Sequence, residues 1–365
     1  MTSPGLVRVH RYVALGLGAL IVLMGLTGAS LVFRKELTEV FTPAVKVSPE
    51  PVPAGEYQRI LAAVRRAEPD ASSLDIAPSG RPERAVEVIV YRSGPDRYLF
   101  VDAHDGAVVA DSDREWLPFA VLFQLHQRFM LGEPGGYAVG ITGFALVFMA
   151  ISGLVLWWPR KLKYAFRVRW DGNRLAVSYD LHRCVGAAFA LLLIVNAVIG
   201  ISMAFDEASP ALVNRMAGRD GPQIPAVRSN ALASGRPLDE IVAAAERAFP
   251  GGFVSRIAIR GGNAPVVVRK RLATNNETHG MNRIYVDAAS ATVLRVSPLA
   301  DLPPGSAMFE WLLPLHTGTL VGTPYRLLLV LAGCVPLLSL VTGLIVWRSK
   351  ARRKMPSATP AVRAR

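Results

Sequence analysis

Four of the six histidines sit at matching places in two copies of one pattern. His10 opens HRYVALGLGALIVLMGLTGASLVF and His182 opens HRCVGAAFALLLIVNAVIGISMAF. In each a glycine follows 18 residues on, Gly28 and Gly200. His126, in LFQLHQRF, has Gly153 and Trp157 at offsets of 27 and 31, and His316, in LLPLHTG, has Gly343 and Trp347 at the same two offsets. Imidazole repeated in this way suggests a pair of metal centres. Haem iron takes imidazole readily, and two imidazoles fill both axial positions, leaving a centre built for electron transfer instead of oxygen binding. Zinc normally wants a four-ligand set enriched in Cys or carboxylate, and the apolar runs offer only the single cysteines Cys184 and Cys334 and no carboxylate. The competing readings are interfacial packing and a proton relay. Four imidazoles in register across two repeats favour ligation, because intramembrane ionisable groups default to function.

The elements that must hold these histidines are membrane spans. Half of the residues (51%) are hydrophobic and the mean hydropathy is positive. Four uncharged runs, Val13–Phe33, Tyr137–Trp158, Cys184–Phe205 and Leu327–Trp347, are each long enough to cross a hydrocarbon core of about 30 Å at about 1.5 Å per residue. The first is long for a signal-peptide core and lacks a good cleavage site, so it is expected to be retained. Trp157, Trp158 and Trp347 close two of the spans as an aromatic belt.

Lysine and arginine cluster at the N-terminus (Arg8, Arg11), in the loop after the second span (Arg160 to Arg174) and in the tail (Arg348 to Arg365). With four spans these segments share one side, and the positive excess puts both termini in the cytoplasm. The net charge of +13 is thus a topology signal, read by anionic headgroups, and points away from nucleic acid. Cys184 and Cys334 fall inside spans, where a small apolar packing role is expected and a structural disulfide is not.

Two outer segments, 34–116 and 206–305, look like copies. YQRILAAVRRAEP and LDEIVAAAERAFP have apolar residues at helical spacing and stop at Pro69 and Pro250. Strand-like runs follow in both, including RYLFVDAHDGAVV and NRIYVDAASATVL, which share Val101–Asp102 and Val286–Asp287 ahead of a turn. One helix on a small antiparallel sheet is the natural unit of each. His104 and His279 lie in loops, where a solvated imidazole is the default; His279 or the nearby Asn275 and Asn276 could touch a substrate.

The expected organisation is a four-span helical bundle with two small α+β outer domains and an internal two-fold repeat. The first span covers 1–33 and the first outer domain 34–116, followed by a re-entrant segment with the second span (117–158) and a cytoplasmic loop (159–178). The third span (179–205), second outer domain (206–305), re-entrant segment with the fourth span (306–347) and tail (348–365) complete it. This topology sorts the histidines by depth. His10 and His182 sit at cytoplasmic helix ends. His126 and His316 each precede a span by 11 residues, which a straight helix would turn into a lift of roughly 16 Å. Gly132, Pro134, Gly135 and Gly136 interrupt one such stretch, and Gly318, Gly322 and Pro324 the other, so each histidine segment is expected to fold back along the membrane edge. Arg11, Arg183 and Arg128 lie beside His10, His182 and His126. They suit either pairing with haem propionates or anchoring of helix ends at the headgroups.

HRYVALG, LFQLHQRFMLG, SGLVLWWPR, DLHRCVG, LHTGTLVG and TGLIVW resemble the PepSY-associated transmembrane proteins of bacteria over nearly the whole chain. That family includes inner-membrane ferric-siderophore reductases and iron-regulated membrane proteins. The resemblance implies an inner-membrane protein with two b-type haems and PepSY-like periplasmic domains, with the family histidines falling on His10, His126, His182 and His316. Depth pairs His10 with His182 and His126 with His316. Some relatives carry a cytoplasmic flavin-reductase extension. This chain has no room for one after its last span, so electrons are expected from quinol or a separate reductase. The leading expectation is a haem-dependent oxidoreductase that reduces ferric siderophore in the periplasm. Two alternatives are a non-redox PepSY sensor and an iron-siderophore permease, the latter short of a polar pathway across its four spans.

Overall fold

The computed structural model describes residues 4–352 apart from 115–116, 160, 223, 226, 228–234 and 273–279. The chain divides into two compact units. One comprises Met1–Ala29, Ile141–Val198 and Val330–Arg365, the other Ser30–Gly140 and Ile199–Leu329.

The first unit is built from four helices: α1 (Pro4–Leu31), α5 (Glu133–Trp157), α6 (Arg174–Ala204) and α10 (Thr323–Arg352). All four are long and apolar enough to cross a membrane. Two start earlier than the apolar runs alone indicate. Helix α1 reaches back to Pro4, and α6 reaches back to Arg174, where Asn173 Oδ1 accepts the Ala176 N–H at 3.0 Å as an N-terminal cap. His10 and His182 therefore lie inside helices, one to two turns from their starts. The backbones of α1 and α10 touch at Gly25 and Gly333, where a Cβ on either glycine would strike the other's carbonyl oxygen. Contact of this kind between small residues is how apolar helices associate when both are already in lipid.

The second unit holds an antiparallel sheet of eight strands, in the order β4-β3-β2-β1-β5-β6-β7-β8. The strands are β1 (Leu74–Ala77), β2 (Val86–Val90), β3 (Arg97–Val101), β4 (Val108–Asp111), β5 (Phe253–Ile259), β6 (Val266–Arg271), β7 (Asn282–Val286) and β8 (Val293–Ser297). The expected helix-plus-sheet units are both present: α3 (Glu56–Ala67) with β1–β4, and α8 (Leu238–Ala248) with β5–β8. Both helices stop two residues before their prolines. They do not form two separate cores. Strand β1 pairs with β5, Leu74 opposite Ile259 and Ile76 opposite Ile257. One apolar cluster runs from Ile60, Val64 and Val88 to Ile241, Val268 and Ile284.

The physical reason is edge management. Alone, each four-stranded sheet would leave β1 or β5 with unpaired backbone groups, and pairing removes both edges at once. Side chains lock the seam. Asp75 accepts from Arg256 Nη1 and Arg260 Nη1, both at 2.7 Å, and from Tyr91 Oη at 3.0 Å. Burial alone would raise its pKa, and the two guanidiniums outweigh that and hold it low. The helices cap each other: Asp239 accepts the Tyr57 and Gln58 N–H groups of α3, and Gln58 Oε1 accepts the Leu238 N–H of α8.

The opposite face of the sheet carries α4 (Pro118–Arg128) and α9 (Pro304–Thr317), and they are held differently. Phe123, Ala120 and Leu117 pack on Ile89, Tyr98 and Phe100. On the other half Glu310 of α9 is 5% exposed and paired with both Arg269 of β6 and Arg283 of β7. Both α4 and α9 end within two residues of their histidine. After α4, Phe129 and Met130 adopt left-handed conformations (φ 47° and 58°), followed by Gly132 at 65°, which costs energy for residues with a Cβ. Pro134, Gly135 and Gly136, expected in this break, are instead in the first turn of α5, a position proline tolerates. Gly135 is needed there because a Cβ would collide with the Arg128 carbonyl. After α9, Gly318 (φ 76°) caps the helix and Gly322 (φ 100°) completes the turn.

Candidate functional site

His10 and His182 belong to the first unit and lie within coulombic range of one another. His10 Nδ1 is 2.7 Å from Ser152 Oγ. The Ser152 hydroxyl proton is already donated to the Phe148 carbonyl at 2.6 Å, so the imidazole is the donor in the Nδ1 contact. His182 Nδ1 is 2.9 Å from the Ser339 carbonyl and 3.3 Å from Thr342 Oγ1. A carbonyl can only accept, so this imidazole also carries its proton on Nδ1. Thr342 repeats the Ser152 arrangement, bonding back to the Leu338 carbonyl at 2.6 Å. In both rings the lone pair is left on Nε2. That tautomer, fixed by an acceptor at Nδ1, is how a metal-ligating histidine is oriented.

A glycine follows each hydroxyl. A Cβ on Gly153 would sit 3.7 Å from His10 Cε1, and one on Gly343 would sit 3.4 Å from His182 Cε1. The Ser-Gly and Thr-Gly dipeptides thus give each imidazole one acceptor and one stretch of bare backbone beside it, the surface against which a flat group can lie.

His126 and His316 belong to the second unit, on α4 and α9. Their ring centres are 6.1 Å apart and the planes are inclined by 44°. One metal ion bonded at about 2 Å to a nitrogen of each ring would hold the ring centres about 6 Å apart. A Cβ on Gly200 would lie 3.5 Å from His316 Cε1, so this ring too faces a glycine. Among the described residues no three His, Cys, Asp or Glu side chains come together to form a ligand cluster. Two imidazoles per centre suit a metal whose other ligands arrive with it, as iron does in haem. The donor set fits that group.

A family model described as the PepSY-associated TM region matches residues 7–350. The chain belongs to this family. No curated protein matches it. The family match encloses both histidine pairs and both halves of the sheet, and the protein is a multi-pass membrane protein of the PepSY-associated type.

The flanking arginines are less closely tied to the rings. Arg183 Nη2 donates to the Arg167 carbonyl at 3.2 Å, which fastens the loop after α5 to α6. Arg11 is exposed one residue past His10, and Arg128 is half-buried at the last position of α4. Trp157 donates through Nε1 to the Ala165 carbonyl, so it too braces this loop, whereas Trp158 is exposed. Cys184 and Cys334 are both free thiols.

His104 is not merely solvated. Its Nδ1 donates to Asp102 at 2.7 Å and its Nε2 to the Glu50 carbonyl at 2.8 Å. Neither acceptor can return a proton, so both contacts favour the protonated ring. The Glu50 carbonyl and then the Asp102 carboxylate raise its pKa. It clips the segment before α3 to the β3–β4 turn. His279, Asn275 and Asn276 lie outside the described residues.

Sequence reasoning missed Ser152 and Thr342. The signal was present, a hydroxyl residue immediately before the glycine at offset 27 in both copies. It also missed which histidine each glycine serves. Gly153 follows His126 in sequence but faces His10. Likewise Gly343 follows His316 but faces His182, and Gly200 follows His182 but faces His316.

Proposed function

We propose that this protein transfers electrons across the bacterial inner membrane through two b-type haems, one held by His10 and His182 and the other by His126 and His316. The acceptor is a ferric siderophore in the periplasm, and both termini are cytoplasmic. The supporting observation is the hydrogen bonding of His10 and His182, which commits each Nδ1 proton and directs each Nε2 lone pair outward as a ligand. The 6.1 Å spacing of the second pair is the supporting geometry at the other site. Haem held by these imidazoles would supply reversible one-electron exchange. The chain's contribution is to fix the tautomer of each ring, keep glycine backbone beside it, and surround it with apolar helix.

The matching element order of the two halves supports a duplication in which each half gives one ligand to each pair. Arg11 and Arg128 lie beside the rings as candidates for propionates, and Arg183, whose Nη2 holds the Arg167 carbonyl, could serve only with its other nitrogens. Quinol or a separate cytoplasmic reductase supplies one electron per ferric ion. The ferrous ion binds oxygen donors more weakly and is released.

Stopped-flow mixing tests the acceptor. Dithionite-reduced protein should be reoxidised by ferric siderophores faster than by unrelated periplasmic oxidants. If no siderophore reoxidises it, the acceptor assignment falls and the electron path must end elsewhere.

A further inference from the structure

Among the described residues of the second unit seven large apolar side chains are 60–80% exposed, and all but Ile224 lie near the ends of membrane-spanning helices. Val40 and Phe41 end α2 (Arg34–Phe41), which starts three residues after α1 ends. Leu212 and Met216 lie one turn apart on α7 (Ala208–Met216), which starts four residues after α6 ends. Leu131 lies in the turn two residues before α5, and Val321 in the turn two residues before α10. Each is 60–80% exposed, and each lies no more than 12 residues (216 − 204, for Met216) from the end of a membrane-spanning helix.

Neither short helix is bare through loose attachment. Asn214, on the other side of α7, accepts from the Gly305 N–H at 2.7 Å and donates to Ser306 Oγ at 3.1 Å. A Cβ at Gly305 would strike the α7 backbone. Helix α2 is fastened by Arg34 to Glu87 and by Glu39 to Arg84. On α7 these polar contacts hold one side to the protein and leave Leu212 and Met216 on the other, whereas on α2 the ring of Phe41 leans on Phe119 while most of it, and of Val40, stays exposed. Exposed Lys35 and Arg215 lie on the same two helices.

We infer that these residues form a collar that seats the second unit in the headgroup–acyl boundary of the bilayer its helices cross, with α2 and α7 lying along the interface. A single exposed apolar residue needs no explanation, but six that all lie within a few turns of the span ends call for one. Here the covalent tether to four spans brings that surface to lipid. Interfacial helices bury their apolar side about 5–10 Å into this boundary, with basic residues at the headgroups. The inference holds whether or not the chain carries haem.

The test is depth-dependent quenching. Phe41→Cys and Met216→Cys, each in a Cys184→Ala, Cys334→Ala background, would be labelled with a fluorophore in nanodiscs holding one chain each. Quenching by nitroxide on the upper acyl chain should be several-fold stronger than quenching by aqueous iodide at both positions. It should be reversed for a label at Ser290→Cys in the exposed β7–β8 turn. Three results would overturn the inference: iodide quenching at 41 and 216 equal to that at 290, protection only in discs holding two chains, or protection without nitroxide quenching. The wild-type chain provides a second measurement by peptide mapping after a water-borne methionine oxidant. Met216 and Met130 should be oxidised at least several-fold more slowly in nanodiscs than in the unfolded chain. Equal rates would contradict the collar.

Discussion

The two histidine pairs are held in place by different physics. His10 and His182 sit inside long helices, and the hydrogen bond that orients each ring comes from a neighbouring helix, Ser152 for one and Ser339 with Thr342 for the other. Their orientation is set locally. His126 and His316 sit at the ends of two short helices, each followed by a left-handed turn, and their spacing depends on how the sheet holds those helices. Helix α4 is held by aromatic and aliphatic packing, α9 by one carboxylate between two guanidiniums and, near its start, by Asn214 of the neighbouring helix Ala208–Met216. The difference teaches that a ligand can be fixed by one hydrogen bond or by a whole fold, and the two respond to different mutations.

The largest effect is expected from Glu310→Ala. It leaves Arg269 and Arg283 facing each other without a counter-charge, and removing one partner of a buried ion pair costs about 3–5 kcal/mol. Chemical denaturation of the second unit should show that loss. Ligand binding at His126 and His316 should fail while binding at His10 and His182 survives. Equal damage to both pairs would erase the distinction drawn here.

A smaller effect is expected from the hydroxyls. Ser152→Ala removes the one acceptor at His10 Nδ1, and loss of such a partner typically costs 10–100-fold in metal affinity. Thr342→Val should cost less, because the Ser339 carbonyl still accepts from His182. Rates of haem loss to an apo-acceptor protein would rank them. Identical rates would mean that Ser152 does not orient His10.

Much of this was legible in the sequence. Four apolar runs could only be spans, and four histidines at repeated offsets could be singled out by spacing alone. The helix–sheet units and the shared Val-Asp turn were readable because alternation and turn residues are local signals. The β1–β5 seam was not, because it pairs residues some 180 positions apart and depends on two edges meeting. The Glu310–Arg269–Arg283 cluster was hidden for the same reason, since nothing near Glu310 in sequence marks it as buried. The breaks after His126 and His316 were foreseen, but the first falls at Phe129 and Met130, where close approach of Gly135 to Arg128 sets the turn. The histidines that Gly153, Gly200 and Gly343 face were not legible, because offsets along the sequence cannot show which neighbouring helix a bare backbone meets.

The most direct test of the proposed ligand pairs is a haem count on the purified, haem-replete protein by its pyridine haemochrome spectrum. The expected result is two b-type haems per chain, one in His182→Ala, one in His316→Ala, and none in the double variant. A folded, colourless wild-type protein, or single variants that each lose both haems, would contradict two independent histidine pairs.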